Sequence, residues 1–256
     1  MTLVELNAIS KRYRSKTGDV LALQDVDLAI GDGEFVSILG PSGCGKSTLL
    51  MIAGGLVPAS GGVVRIAGQK ISRPYTDVGI VFQRDLLFDW RTVLRNVLLQ
   101  ADIRRSMPRE TAIERAKALL TKTGLAGFEN HYPWELSGGM RQRVAICRAL
   151  LHDAKLLMMD EPFGALDSLT RDQMAIDLQR LWMSYPRSVM FVTHNIAEAV
   201  FLSDRVVIMS PRPGRIVADI TIDLPRPREI DVYNSTSFMS YQHRLRHTME
   251  ELEVLK

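Results

Sequence analysis

The residues Gly40-Pro41-Ser42-Gly43-Cys44-Gly45-Lys46-Ser47-Thr48 satisfy the phosphate-binding pattern G-x-x-x-x-G-K-[ST] at every required position. Glycines at these offsets let the backbone curl around an anion with successive N–H groups pointing inward, and a following helix turns its positive N-terminus on the same anion. Lys46 then neutralises charge on the β- and γ-phosphates of a nucleotide, and the Ser47 hydroxyl ligates Mg²⁺. The flanking residues agree. Phe35 to Leu39 reads as an apolar strand and Leu49 to Ala53 as the start of a helix. A plain turn between strand and helix has no need of a Lys-Ser pair at that place.

A second set of candidates lies further on. Leu156-Leu157-Met158-Met159-Asp160-Glu161 is four apolar residues ending in two acids, the pattern of a buried parallel strand that delivers carboxylates to the edge where ligands bind. Asp160 suits the carboxylate that holds Mg²⁺, directly or through water. Glu161 is expected to point to the opposite side of an extended chain, where it orients or deprotonates an attacking water. Gln83 and His194 follow the apolar runs Val78 to Phe82 and Ser188 to Val192, and a parallel sheet sets both at the same edge as Asp160. Alone, His194 reads as a structural histidine; several strand ends converging on one edge reverse that reading. Tyr13, on a polar stretch after the first strand, suits either stacking on a flat base or covering the sheet edge.

Elements must hold these groups. Leu3 to Ile9, Val20 to Leu23 and Val26 to Ile30 read as short strands separated by turns, a β-rich N-terminal region ending on the strand that feeds the phosphate loop. After Gly54-Gly55 come the strand Val63 to Ile66 and then Val78 to Phe82. From about 84 the pattern turns helical: Ala112, Ile113, Ala116, Leu119 and Leu120 share one face, with Pro108 where a helix can start. Residues 84–151 therefore read as a helical insertion in an α/β domain. Within it, Leu136 to Met140 breaks the pattern and launches a helix expected over Arg141 to Leu151. Helices are expected over Ser168 to Tyr185 and Ile196 to Leu202, with a strand at Val206 to Met209 between the latter and the tail. In the tail, 211–256, a short strand Ile216 to Ile222 precedes Phe238, Tyr241, Leu245, Met249, Leu252 and Leu255, which recur at helical spacing and predict an amphipathic helix packed on its own domain.

Bulk properties narrow the class. The 256 residues are 46% apolar and 24% charged, with a net charge of +3, too mild and too scattered to argue for nucleic acid. No apolar run approaches the roughly 18 residues that span a bilayer, and the N-terminus has no signal-peptide pattern, so a cytosolic location is expected. Cys44 and Cys147 make neither a disulfide framework nor a metal cluster and read as reduced filler.

Taken together and in order, these motifs resemble the nucleotide-binding subunits of ATP-binding-cassette (ABC) transporters over about residues 3 to 210. The resemblance implies a P-loop NTPase (RecA-like) α/β core, 1–210, with a β-rich subdomain and a signature-bearing helical insertion. It implies ATP and Mg²⁺ as ligands. Tyr13 resembles the adenine-stacking aromatic, Gly40 to Thr48 the Walker A loop, and Gln83 the Q-loop glutamine that touches Mg²⁺ and senses the membrane partner. Ser137, Gly138 and Gly139 resemble the signature, Asp160 and Glu161 the Walker B pair, and His194 the switch histidine. Ala165-Leu166-Asp167 resembles the D-loop, with Asp167 among the catalytic residues. Met140 stands where the family usually has Gln; the phosphate-facing duty belongs to Ser137 and the two glycine amides, so activity is expected to survive.

The family implies a head-to-tail homodimer in which each ATP lies between the phosphate loop of one copy and Ser137-Gly138-Gly139 of the other, closing on ATP and opening on hydrolysis. It implies integral membrane permease subunits, an indirect solute-binding protein, and a peripheral place on the cytoplasmic side of the membrane. Phe82 to Trp90 and Ser210 to Arg215 are similar to ATPases of the nitrate, sulfonate and taurine importers, and related importers of thiamine-pyrimidine precursors or bicarbonate carry similar stretches. A soluble ABC ATPase of translation or DNA repair fits less well, since those usually carry two cassettes or a long coiled coil. A regulatory module without turnover conflicts with Glu161 and His194.

Overall fold

A computed structural model describes residues 1–14 and 18–254, and the chain divides into two compact units, Met1–Thr76 with Pro186–Lys256, and Asp77–Tyr185. In chain order the first unit begins with β1 (Thr2–Tyr13), β2 (Val20–Gly31), β3 (Phe35–Leu39), α1 (Lys46–Ala53), β4 (Gly61–Ile66) and β5 (Gln69–Lys70). The second unit holds β6 (Val78–Val81), α2 (Val93–Val97), α3 (Leu99–Arg104), α4 (Arg109–Lys122), α5 (Gly138–Leu151), β7 (Leu156–Asp160) and α6 (Ser168–Ser184). The chain then returns to the first unit with β8 (Ser188–Thr193), α7 (Ile196–Leu202), β9 (Arg205–Met209), β10 (Ile216–Thr221) and α8 (Thr236–Val254).

In the first unit, β2, β1, β4 and β5 form a four-stranded antiparallel sheet in that order. Val26, Leu28 and Ile30 are buried while the residues between them face out, the period-two pattern of a strand with one face on a core. The two strands expected over 20–30 are one. Asp25 bends without ending it: at φ 47° its N–H donates to Ser10 Oγ at 3.0 Å, and Ser10 Oγ donates to Asp25 Oδ1 at 3.1 Å. A backbone bulge absorbs the polar residues that looked like a break. The sequence reading also passed over β5, which β4 reaches through Ala67-Gly68, both with positive φ (49° and 76°), as a two-residue hairpin turn requires.

The same unit carries a second layer of strands in the order β10, β9, β3, β8. β3 lies between β9 and β8, parallel to both, and all five of its residues are buried, which is why it reads as one apolar run. β10 pairs antiparallel with β9. Beyond β10, the Arg228 guanidinium is buried and donates to the carbonyls of Val200 (2.7 Å), Phe201 (3.0 Å) and Ser203 (2.9 Å), capping the C-terminus of α7. Burial pushes its pKa down to about 10, which leaves it charged at neutral pH. α8 buries Phe238 and Leu245 against its own unit, with Phe238 edge-on to Tyr233 at 4.9 Å. Each such side chain contributes about 2 kcal/mol of burial. The side chain of Leu252 and all of Leu255 lie outside the described residues. No helix among the described residues is long and apolar enough to cross a membrane.

In the second unit β6 and β7 pair in parallel, and α5 packs on β6, α2 and α4. Close approach of α5 depends on Gly79, where a Cβ would stand 2.6 Å from the Ala149 carbonyl oxygen. α4 begins one residue after Pro108 and buries Ala112, Ala116, Leu119 and Leu120.

Candidate nucleotide site

The phosphate loop leaves β3 at Leu39 and is fitted closely on its inner side. A Cβ on Gly40 would stand 3.0 Å from both Cys44 Sγ and the Met209 carbonyl oxygen, and one on Gly45 would stand 2.7 Å from Leu23 Cδ2. Gly43 and Gly45 have φ of 76° and 107°, the left-handed region that only glycine enters cheaply. The helix begins at Lys46, inside the motif, three residues earlier than expected from Leu49. Gly45 is its N-cap and supplies no side-chain hydrogen bond to the first turn, the place where a helix presents its N–H groups and positive dipole to an anion. Lys46 is only 4% exposed, and its Nζ donates to the Gly40 and Pro41 carbonyls at 2.9 and 3.0 Å.

Tyr13 is the last residue of β1. Its hydroxyl stands 3.5 Å from Thr48 Oγ1, its ring is 41% exposed, and Lys11 Nζ lies 4.9 Å from the ring centroid. The structure thus brings the aromatic beside the last residue of the motif. His194 is brought to the same sheet edge, because Leu39 and Thr193 are partners in the β3–β8 register and Gly40 and His194 each come next. The turn that carries His194 is braced: Thr193 Oγ1 donates to the buried Glu198 carboxylate at 2.6 Å and accepts from Asn195 N–H at 3.0 Å, while Asn195 Oδ1 caps α7 through Ala197 and Glu198 N–H. His194 itself is exposed.

In the second unit, Val81 and Met159 are register partners, so Gln83 and the Asp160-Glu161 pair leave one edge of the β6–β7 ladder. Asp160 is 8% exposed. Glu161 departs from the extended chain expected of it. Its φ is 44°, in the left-handed region, so the strand ends at Asp160 and the direction of Glu161 is set by the turn and not by strand alternation. The geometry gathers it with Gln83. A Cβ on Gly164 would stand 3.6 Å from Gln83 Nε2 and 3.7 Å from Glu161 Oε2.

The signature is the first turn of α5 and not its prelude: the helix starts at Gly138, three residues before Arg141, with Ser137 as N-cap. Ser137 Oγ accepts from Met140 N–H at 3.3 Å, which uses a lone pair and leaves its O–H to donate elsewhere. Met140 enters this cap through its backbone, so the side chain that departs from the family pattern is not part of it. Gly139 lies against α6, where a Cβ would stand 2.9 Å from Thr170 Cγ2. Asp167 is the N-cap of α6, accepting from Thr170 N–H at 3.0 Å, and that hydrogen bond holds its carboxyl below the usual range.

Several supports went unnoticed in the sequence. Arg141 donates to Asp85 at 3.0 Å and to the Leu136 carbonyl at 2.7 Å, and Arg148 donates to the Asp85 and Leu86 carbonyls, both at 2.7 Å. These arginines are seven residues apart on one face of α5, a spacing that could have announced a shared partner. Asn96, fully buried, accepts from Phe88 N–H and donates to the Phe88, Arg91 and Thr92 carbonyls, folding 88–92 into a fixed loop. Trp90 in that loop is 73% exposed, and Leu86 just before it 52%.

Comparison with known proteins places this geometry. A sequence profile described as ABC transporter matches residues 23–164. An uncharacterised ABC transporter ATP-binding protein of Methanocaldococcus jannaschii is 42% identical over 99% of this chain and 93% of its own. The aliphatic sulfonates import ATP-binding protein SsuB of Bacillus cereus is 43% identical over 94% of each chain. The taurine import ATP-binding protein TauB of Yersinia pestis is 45% identical over 86% of this chain and 85% of its own. Among solved structures, a dimeric post-hydrolysis state of an ATP-binding cassette bound to ADP and Pi matches with a TM-score of 0.77 and 35% identity, covering 87% of this chain and 100% of that one. The fold is that of the P-loop NTPases, and the chain belongs to the ABC transporter family as an ATP-binding subunit whose ATP hydrolysis powers transport.

Proposed function

We propose that this chain energises a membrane importer of a small anionic solute of the sulfonate and taurine kind. The observation that carries the reading is its 43% identity to a sulfonate import ATP-binding protein over 94% of both chains, far beyond the shared nucleotide motifs. Residues 40–48 hold the phosphates, and Lys46 moves its hydrogen bonds from the Gly40 and Pro41 carbonyls to phosphate oxygens. Tyr13 stacks on the adenine.

The candidate metal ligands fit Mg²⁺: Ser47, Gln83 and Asp160 offer a hydroxyl, an amide carbonyl and a carboxylate, all hard oxygen donors. Bound Mg²⁺ neutralises charge on the phosphates. Glu161 accepts a proton from the attacking water as its oxygen bonds to the γ-phosphorus and the bond to the ADP oxygen breaks. His194 donates to the γ-phosphate. A second copy supplies the Ser137 hydroxyl and the Gly138 and Gly139 amides, and Asp167 shapes the same dimer contact.

The subunit then lies against permease subunits at the cytoplasmic side of the membrane. Leu86 and Trp90, exposed in the segment that follows Gln83, are apolar groups of the kind a partner covers. The test is ATPase activity of the assembled transporter with its solute-binding protein. Stimulation by taurine or an alkanesulfonate is expected. Stimulation by bicarbonate or a thiamine-pyrimidine precursor instead would overturn the solute, and purification with ribosomes or DNA rather than permease would overturn the importer.

A further inference from the structure

The turn between β9 and β10 lies against the phosphate loop although it belongs to no nucleotide motif. Gly214 touches the loop so closely that a Cβ would stand 2.2 Å from the Cys44 carbonyl oxygen. The turn is itself fixed. Ser210 Oγ donates to the Pro211 and Pro213 carbonyls at 2.9 and 3.1 Å and accepts from Arg215 N–H at 3.0 Å. Gly214 N–H donates to the Ala22 carbonyl at 2.9 Å, and the Gly214 carbonyl accepts from Gln24 N–H at 3.0 Å. From this anchored turn Arg212 reaches back, and its Nη2 donates to the Gly43 carbonyl oxygen at 3.0 Å.

That carbonyl is a telling place for a cation. In a planar trans peptide the C=O and N–H point in opposite directions, so pinning the Gly43 oxygen outward aims the Cys44 N–H inward. In this structure the Cys44 N–H donates to the Pro41 carbonyl oxygen at 3.4 Å, the oxygen that also accepts from Lys46 Nζ at 3.0 Å, and both donors would pass from it to phosphate when a nucleotide arrives. Gly43, at φ 76°, has no side chain to restrain this peptide.

We infer that Arg212 is a positioning residue of the phosphate loop: by holding the Gly43 carbonyl outward it keeps the Cys44 amide turned toward a nucleotide phosphate. The role rests on residues 40–48 being the nucleotide site. It predicts an effect on nucleotide affinity and not on the chemical step. It also depends on the reach and position of the guanidinium Nη2, which a lysine ammonium reproduces only in part.

The experiment uses the purified full-length chain, titrated with a fluorescent ATP analogue and assayed for steady-state hydrolysis. Arg212→Ala should raise both the nucleotide Kd and KM about fivefold to tenfold with kcat within about twofold, as for loss of one charge-assisted hydrogen bond. Arg212→Lys should fall between this variant and the wild type. Arg215→Ala, which takes the same charge from the same turn without touching the loop, should match the wild type. Unchanged affinity in Arg212→Ala overturns the inference, as does an equal loss in Arg215→Ala, or a fall in kcat and melting temperature alongside the rise in KM. If the wild type binds no ATP, the nucleotide site falls and this role with it; ATP binding indifferent to Arg212 removes this role alone.

Discussion

The phosphate loop and the segment 82–92 are both irregular backbone at the end of a buried strand, yet they are held in opposite ways. The loop is held chiefly by clearance, with the side chains of Lys46 and Arg212 reaching three of its carbonyls. Gly40, Gly45 and Gly214 each sit where an added methyl would meet Met209, Leu23 or Cys44. The segment is held by reach: Asn96 and Arg148 come in from helices to satisfy its carbonyls, and Arg141 donates to its Asp85 carboxylate. A site for a small fixed anion needs backbone amides in one arrangement, which packing supplies. The exposed side chains of Leu86 and Trp90 sit instead on a propped loop, and hydrogen bonds from a scaffold supply the props.

The contrast can be broken at several points. The largest effect is expected at Glu161, where neither kind of support is touched: Glu161→Gln should lower kcat roughly a thousandfold while ATP binding persists and dimers accumulate on size-exclusion chromatography. Persistent turnover would remove Glu161 from the role of base. Gly45→Ala adds a methyl at φ 107° and 2.7 Å from Leu23 Cδ2, so nucleotide affinity measured by titration should fall about 10- to 100-fold. Asn96→Ala tests the opposite principle by removing a buried side chain that satisfies four backbone groups. Denaturant unfolding should show a loss of about 2–3 kcal/mol. If a methyl added in 88–92 costs as much as Asn96→Ala, the distinction between clearance and reach fails.

Smaller changes sharpen it. Ser137→Ala removes the N-cap of α5 and should cost about 1 kcal/mol in stability, with a separate fall in turnover that Ser137→Thr restores. A further change, confined to alkaline pH, concerns Cys147, whose thiol burial pushes up to about 12 from 9.0. A thiol kept neutral by the fold adds stability that is whole below about pH 9 and is lost as pH rises toward 12. Wild-type stability should therefore fall more steeply than that of Cys147→Ala across this alkaline window in pH-dependent unfolding. Both cysteines are buried, so thiol reagents should label the native chain slowly, Cys44 included, even though it belongs to the loop.

Most elements were legible because their signals are local. Phe35 to Leu39 and Ile196 to Leu202 have the bounds expected of them, the first from an unbroken apolar run and the second from Asn195, a strong N-cap residue. Boundaries failed where a residue serves two purposes. Ser137 and Gly45 looked like loop residues and are helix caps, so both helices begin inside the motifs. Glu161 could not be aimed from strand alternation, because its backbone conformation is decided by the turn after the strand. Arg212, Asn96 and Glu198 were invisible for another reason. Their partners lie at backbone carbonyls or hydroxyls, and a backbone atom leaves no mark of its own in a sequence.

The division of the chain into one continuous and one interrupted unit has a consequence for synthesis. Residues 77–185 are consecutive, so the contacts within their unit can form as they leave the ribosome. The unit that carries the phosphate loop cannot. The loop is translated early, but β8, β9 and the turn at 210–214 that flank it come only after the whole of the other unit has emerged. A nascent chain stalled before residue 188 exposes a glycine-rich loop without its walls, so competence to hold a nucleotide is acquired only after the other unit has been made.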